Sequence, residues 1–434
     1  MAFLQTVWTK TRTGYSFWDA ESSATPPFPL PDLFWELLMH IALTPDQERL
    51  RDELREYFAA LVTPEVKAGL AAATGEFGDD AVYKKVIRQL GSDGWLGIGW
   101  PKEYGGQARS MIEQLIFTDV AAIAGVPIPY LTLNTVGPTI MRYGTDEQKD
   151  YFLPRILKGE LHFSIGYSEP GSGTDLASLK TKAVREGDEW VINGQKMWTS
   201  LIQYADWLWM AVRTDPDLPR HKGLSMILVP ADSPGFSYTP VHTVAGVSTS
   251  ATYYEDVRVP ASNLVGELNG GWSLMTNQLN HERVALTSAA PLTYSIDMVR
   301  RWAQETKNPD GQRVIDSEWV QIALGRAHAR TTALALINWK LAADADAGVD
   351  LSPAEASATK IYGSELATEV YRSLMEIVGP NAGITGDSEG AVLAGRLERF
   401  YRSALVMTFG GGTNEIQRDI IGYVGLGLPA AKRS

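Results

Sequence analysis

The spacing of apolar residues changes twice along this chain, and those two changes restrict its fold more than any single motif. Near the start, Thr44-Pro45-Asp46-Gln47 combines a capping threonine, a proline at the first helical position and a glutamine three residues after the cap. Leu50, Leu54, Phe58 and Leu61 then follow at helical spacing. Further helices are predicted over 81–90, 111–124, 135–143 and 146–157, punctuated by Gly91, Gly105 and Gly144. From Phe163 short β-rich runs take over, at 182–185, 189–192, 207–213, 224–229 and 249–257. Asn193-Gly194 is expected to be a hairpin turn between two of them, because both positions tolerate positive φ. After Gly270-Gly271 the helical period returns over 272–305, 316–347, 353–378 and 391–408, with a shorter helix from Asn414. Four long helices in succession suggest an antiparallel bundle.

The expected fold class is therefore multidomain α and β. A helical N-terminal domain (41–162) is followed by a β-barrel-like middle domain (163–266) and a C-terminal four-helix-bundle domain (267–434), a division that 434 residues accommodate. Residues 1–40, with Pro26, Pro27, Pro29 and Pro31 ahead of an apolar stretch broken by Asp32 and Glu36, read as a poorly ordered extension or a mis-assigned start, with Met39 the natural beginning. The stretch is no membrane span.

A net charge of −12 argues against nucleic acid as a partner and requires local compensation for any anionic ligand. The absence of cysteine excludes disulfides, thiolate metal sites and cysteine nucleophiles, and suits a cytoplasmic setting. The six histidines include no pair at the H-E-x-x-H spacing, and no G-x-S-x-G elbow is present, so metal-hydrolase and serine-hydrolase chemistry is disfavoured and no metal is expected.

Two segments could carry a ligand. Gly166-Tyr167-Ser168-Glu169-Pro170-Gly171-Ser172-Gly173-Thr174-Asp175 is a glycine-rich turn with hydroxyls and open amides, although composition alone favours an ordinary surface turn. Its companion, Gly194-Gln195-Lys196-Met197-Trp198-Thr199-Ser200, offers a broad indole and a hydroxyl two residues later, on one side of an extended strand. Trp198 as a plain core tryptophan is the alternative. A third segment, Phe409-Gly410-Gly411-Gly412-Thr413-Asn414-Glu415-Ile416-Gln417-Arg418, opens the last helix.

Together these segments resemble the two flavin-binding signatures and the C-terminal signature of acyl-CoA dehydrogenases, over roughly residues 41–430. The resemblance implies FAD as cofactor, with Tyr167 and Ser168 on the isoalloxazine and Thr174 near flavin or substrate. It further puts Trp198 over the ring, Ser200 near flavin N5, and Thr413 and Glu415 near the phosphate and adenosine portion. Many members carry the proton-abstracting glutamate at the position of Gly411. In the isovaleryl- and long-chain-type branches the base instead precedes an arginine on the first bundle helix, which here makes Glu282 the catalytic base and Arg283 its substrate-side neighbour. Read from periodicity, Glu282 shares a helical face with Met275, Gln278, Leu279, Ala285, Leu286 and Ala289, five of the six apolar, although a solvated glutamate at the helix edge is as good a reading of the pattern alone. Gly411 would still offer its main-chain N–H to the thioester, and Gly410, Gly411 and Gly412, without side chains, would leave room on the substrate side for a bulky acyl group.

The resemblance also points to a partner. Lys307 stands where the family's pyrophosphate-binding arginine aligns, and Glu376 where a glutamine is expected; an anionic Glu376 would repel a pyrophosphate. A related dehydrogenase subunit in an α2β2 heterotetramer would supply both. The combination is similar to the catalytic subunit of bacterial cholesterol side-chain acyl-CoA dehydrogenases, implying a steroid-CoA substrate and electron-transfer flavoprotein as acceptor. The alternatives are a branched- or long-chain acyl-CoA dehydrogenase and a non-catalytic subunit of a heteromeric one.

Overall fold

Leu50, Leu54 and Phe58 form the buried face of helix α1 (Pro45–Leu61), as their spacing predicts. The structure is a computed structural model that describes residues 42–70, 78–246, 248–276, 287–386 and 388–429. The expectations for residues 1–40 and for Met39 lie outside the described residues. Helices α2 (Pro64–Leu70), α3 (Asp80–Ser92), α4 (Met111–Ala124), α5 (Gly137–Tyr143) and α6 (Asp146–Leu157) complete the first helical layer. Capping boxes Ser110/Glu113 and Thr145/Gln148 start α4 and α6. The helix predicted over 135–143 begins earlier than expected, as a π-helical stretch over Leu131–Val136.

The middle of the chain is an eight-stranded mixed sheet. In chain order the strands are β1 (Phe163–Gly166), β2 (Lys182–Glu186), β3 (Glu189–Lys196), β4 (Trp207–Arg213), β5 (Leu224–Pro230), β6 (Phe236–His242), β7 (Ser248–Pro260) and β8 (Leu264–Val265). Their spatial order is β6-β7-β3-β2-β4-β5-β8, with β1 parallel to β4. Alternate residues of β2, β3, β4 and β7, among them Ala183, Trp190, Ile192, Met210 and Val257, form one apolar core.

Asn193-Gly194 is not a hairpin turn. The turn lies at Gly187-Asp188, where Glu186 pairs with Glu189 and Gly187 has φ +60°, as the first central position of a two-residue type II′ turn demands. Strand β3 runs straight through Asn193-Gly194, and its register with β7 shifts there. Asp256, at φ +49°, takes up the extra residue of the bulge, and its carboxylate and N–H bond the Asn193 side chain at 2.9 and 3.0 Å. Gly194 serves a close approach: a Cβ there would sit 2.6 Å from Thr181 Oγ1.

The C-terminal layer comprises α7 (Ala290–Glu305), α8 (Glu318–Asp346), α9 (Pro353–Val378), α10 (Arg396–Val406) and α11 (Asn414–Ile420). Helix α9 is central, packing against the other four, while α4 of the first layer packs on α7 and α8. Leu292, Ile296, Val299, Leu324, Leu366 and Leu374 belong to the core between the long helices. The predicted helix over 272–305 is interrupted: 271–276 are helical, but 287–289 form a turn and a bend before α7. Pro291 in the first turn of α7 supplies no N–H to the Thr287 carbonyl four residues back, and that carbonyl accepts from Asn338 Nδ2 instead.

Candidate active site

The two glycine-containing segments are laced together by a buried ion pair. Lys196 ends β3 fully buried, and its Nζ donates to Glu169 Oε1 at 2.9 Å and to the Tyr167 carbonyl at 3.1 Å. Glu169 also accepts from the main-chain N–H groups of Lys180 (2.6 Å) and Thr181 (2.8 Å). Burial alone would raise the Glu169 carboxyl, but the Lys196 ammonium and the Thr181 donors outweigh it and hold the carboxyl below its ordinary value. Burial pushes the Lys196 ammonium down to about 8 despite Glu169, so it remains charged at neutral pH. Met197 N donates to the Ser168 carbonyl at 2.8 Å, closing the lacing. A cleft of about 290 Å³ borders the pair, lined by Ser172, Ser178, Lys180, Thr181 and Gln195 among others.

Tyr167 is buried, with its hydroxyl accepting from Trp209 Nε1 at 3.1 Å, and Ser168 is half-buried beside it. Thr174 is exposed, and a Cβ on Gly171 or Gly173 would meet nothing within 4 Å, so this loop faces open space. Trp198 and Ser200 do not lie on an extended strand, because β3 stops at Lys196 and Trp198 takes φ +64°. A left-handed non-glycine residue costs about 1–2 kcal/mol, and here it turns an indole outward to 56 % exposure. Ser200 stays on the same rim, its hydroxyl donating to Thr249 Oγ1 at 3.2 Å and its carbonyl accepting from Ser164 Oγ at 2.5 Å. An outward indole, neighbouring hydroxyls and an open glycine loop fit a planar ring system with polar edges, as in FAD.

The third segment is tightly held. Gly411 and Gly412 have φ +67° and +98°. The Gly412 carbonyl accepts from Lys360 Nζ at 2.8 Å, and the Gly411 carbonyl from Gln417 Nε2 at 3.4 Å. Lys360, fully buried in α9, also donates to Asn414 Oδ1 at 2.7 Å, and Ser357 donates to Gln417 Oε1 at 2.7 Å. Gly410 is half-buried on the approach from α10. Thr413 caps α11 through Ile416 N, and Glu415 is exposed in the first turn, where backbone N–H groups and the Thr413 hydroxyl hold its carboxylate below its ordinary pKa.

Glu282 and Arg283 lie outside the described residues. The break that follows them is anchored on two sides. Ser288 Oγ donates to Asp119 Oδ1 of α4 at 2.7 Å, and Asn338 of α8 donates to the Thr287 carbonyl at 3.2 Å and accepts from Ala289 N at 3.3 Å. Ala289 is the N-cap residue of α7. Gly363 of α9 admits Thr287, since a Cβ there would lie 2.5 Å from the Thr287 Cβ.

The structure joins Tyr167, Ser168, Trp198 and Ser200 into one rim, while Gly410, Gly411, Thr413 and Glu415 are held by α9 and α11. Sheet and bundle meet where Arg402 and Ser403 of α10 donate to the carbonyls of Val244 and Ala245. Lys307 and Glu376 are both exposed. Glu169, Lys196 and Lys360 were assigned no role from sequence. For Lys196 a signal existed: strand alternation puts it on the inward side with Trp190 and Ile192. Among the described residues there is no metal-binding cluster of carboxylates and histidines, and no helix long and apolar enough to cross a membrane.

Comparison with known proteins agrees with this layout. Models of the acyl-CoA dehydrogenase N-terminal, middle and C-terminal domains match residues 44–160, 164–257 and 269–426. The chain is 62 % identical over 400 residues to acyl-CoA dehydrogenase FadE26 of Mycobacterium tuberculosis, covering 91 % of this chain and 100 % of the relative. It is also similar to a chain of the ChsE4-ChsE5 complex from Mycobacterium tuberculosis (62 % identity, TM-score 0.84, covering 91 % and 100 % of the two chains). A chain of the Tcur3481-Tcur3483 steroid ACAD resembles it at 47 % identity with the same TM-score and coverage. The chain belongs to the acyl-CoA dehydrogenase family and, with its relatives, is an oxidoreductase.

Proposed function

We propose that this chain is the catalytic subunit of an FAD-dependent dehydrogenase that introduces an α,β double bond into a steroid side-chain CoA thioester. The observation that carries the flavin reading is the laced rim of Tyr167, Ser168, Trp198 and Ser200, with the indole held outward by a left-handed backbone. In the reaction Glu282 takes the α-proton of the thioester, and Arg283 lies beside it on the substrate side. The main-chain N–H of Gly411 polarises the thioester oxygen, which strengthens the α-C–H acidity, while Gly410, whose own N–H donates to the Val406 carbonyl at 2.8 Å, borders the acyl group without a side chain. Bound FAD supplies the acceptor, at N5, for the hydride that leaves the β-carbon. Thr174 borders flavin or substrate, and Thr413 and Glu415 the phosphate and adenosine portion. The domain boundaries of 41–162, 163–266 and 267–434, after an extension over 1–40, belong to the same reading, as does a cytoplasmic setting.

The steroid assignment draws on the similarity to the Tcur3481-Tcur3483 steroid ACAD and on the missing side chains at Gly410 and Gly411, which leave room for a bulky acyl group. A hetero-assembly draws on the two-component relatives and on exposed Lys307 and Glu376, which a related subunit would complement in an α2β2 heterotetramer. Electron-transfer flavoprotein is the acceptor this reading expects.

Glu282→Gln is expected to retain flavin but to lose bleaching of the flavin absorbance by substrate; unchanged turnover sinks the base assignment. A higher rate on a steroid-CoA than on palmitoyl-CoA is expected of the assembled complex, and the reverse order returns the chain to the long-chain class. If the chain expressed alone forms a tetramer with one FAD per subunit, the mixed assembly is wrong.

A further inference from the structure

We propose that the buried Glu169–Lys196 pair positions the cofactor-binding rim: Lys196 sets the direction of the Tyr167–Ser168 peptide, and Glu169 keeps that lysine charged and in place. The inference rests on the flavin reading of 166–175 and 194–200.

A lysine at this inward end of β3 is an expensive choice. Its ammonium is fully buried, and an apolar side chain of similar volume, paired with a neutral partner for residue 169, is often as stable or more so. What methionine could not do is donate to the Tyr167 carbonyl, 29 residues away in sequence. The next carbonyl along, that of Ser168, is held by Met197 N. Two consecutive carbonyls are therefore fixed by two residues of the opposite segment, separated only by one peptide bond. Because C=O and N–H are opposed in a trans peptide, the Lys196 contact also turns the Ser168 N–H away from the buried lysine.

Glu169 is matched to the task. Three donors converge on its two oxygens: Lys196 Nζ, Lys180 N and Thr181 N. A carboxylate accepts from all three, whereas glutamine would turn an NH2 group against one of them. The same carboxylate thus joins a third segment, 180–181, to the rim. Lys196 leads directly through Met197 into left-handed Trp198, so the pair fixes the rim at both of its ring-facing sides.

The test uses the full chain co-expressed with a related acyl-CoA dehydrogenase subunit, as wild type, Lys196→Met, Glu169→Gln and the double variant. Three quantities are read: the urea midpoint of the apoprotein, the Kd for FAD on reconstitution, and the visible circular dichroism of bound flavin. Lys196→Met is expected to weaken FAD binding about tenfold or more, the equivalent of one hydrogen bond, and to alter the flavin dichroism. Glu169→Gln lowers the urea midpoint as well, since it leaves the ammonium without its counter-charge. The double variant removes that charge and regains the urea midpoint, but not the FAD affinity. Recovery of both, or wild-type affinity in Lys196→Met, would show a purely structural pair and overturn the proposal. A wild-type complex that takes up no FAD overturns the flavin reading itself, and is told apart because every variant is compared with it.

Discussion

His162 makes the stability of this protein depend on pH, with a sign and size that the structure specifies. The residue lies immediately before β1, is 5 % exposed, and its Nε2 has no hydrogen-bond partner among the described residues. It lines a small cavity of about 10 Å³ with Tyr83, Thr132 and Tyr204 among its walls, space for about one water. Burial pushes the imidazole down to about 4; nearby Asp206 opposes the shift, while Lys84 and Arg88 add to it. Unfolded, the same imidazole titrates near 6.5. Between these values the unfolded chain binds the proton and the folded one does not, so stability rises with pH through 4 to 6.5 and is flat above. The neutral form's advantage amounts to about 3 kcal/mol at pH 4 relative to pH 7.5. Urea unfolding at half-unit intervals from pH 4 to 7.5, on wild type and His162→Gln, isolates this contribution, because the other titrating groups are common to both. The wild-type curve should fall about 3 kcal/mol further than the variant's on acidification. Parallel curves over this window would refute the buried-neutral assignment.

Three substitutions test the other contacts. Gly194→Ala is expected to cost about 1–3 kcal/mol by overpacking against Thr181, measured as a lower urea midpoint; a neutral effect would mean that β2 and β3 separate without penalty. Gly363→Ala should cost a similar amount, about 1–3 kcal/mol, through its clash with Thr287, and a crystal structure with α9 and the 287–289 break unmoved would contradict it. Lys360→Met strands the Gly412 carbonyl and one bond to Asn414, for about 2–4 kcal/mol. Faster hydrogen exchange at 410–414 is the expected signature, and unchanged protection there would show that the loop holds itself.

The helical starts were legible because their signals are local. Ser110 with Glu113, and Thr145 with Gln148, satisfy backbone groups within one turn, and both helices begin where those residues stand. The hairpin differs for a related reason: Asn-Gly permits a turn but does not require one, and here the Asn193 side chain bonds left-handed Asp256 across a bulge in β7. Glu282 lies outside the described residues, and its role remains a proposal for the Glu282→Gln variant to test.

By itself the sequence determined the α, β, α order, the three glycine-containing segments and the lack of an acid at Gly411, all of which depend on residue identity and on spacing within a few positions. Tertiary structure alone decided that Lys196 meets Glu169 across 27 residues, that Lys360 holds the glycine loop across 52, and that Trp198 turns outward. The physical reason is the cost of burying charge. A lysine is tolerated inside only where a distant segment delivers a carboxylate or carbonyls to it, and nothing in the local pattern names that distant segment.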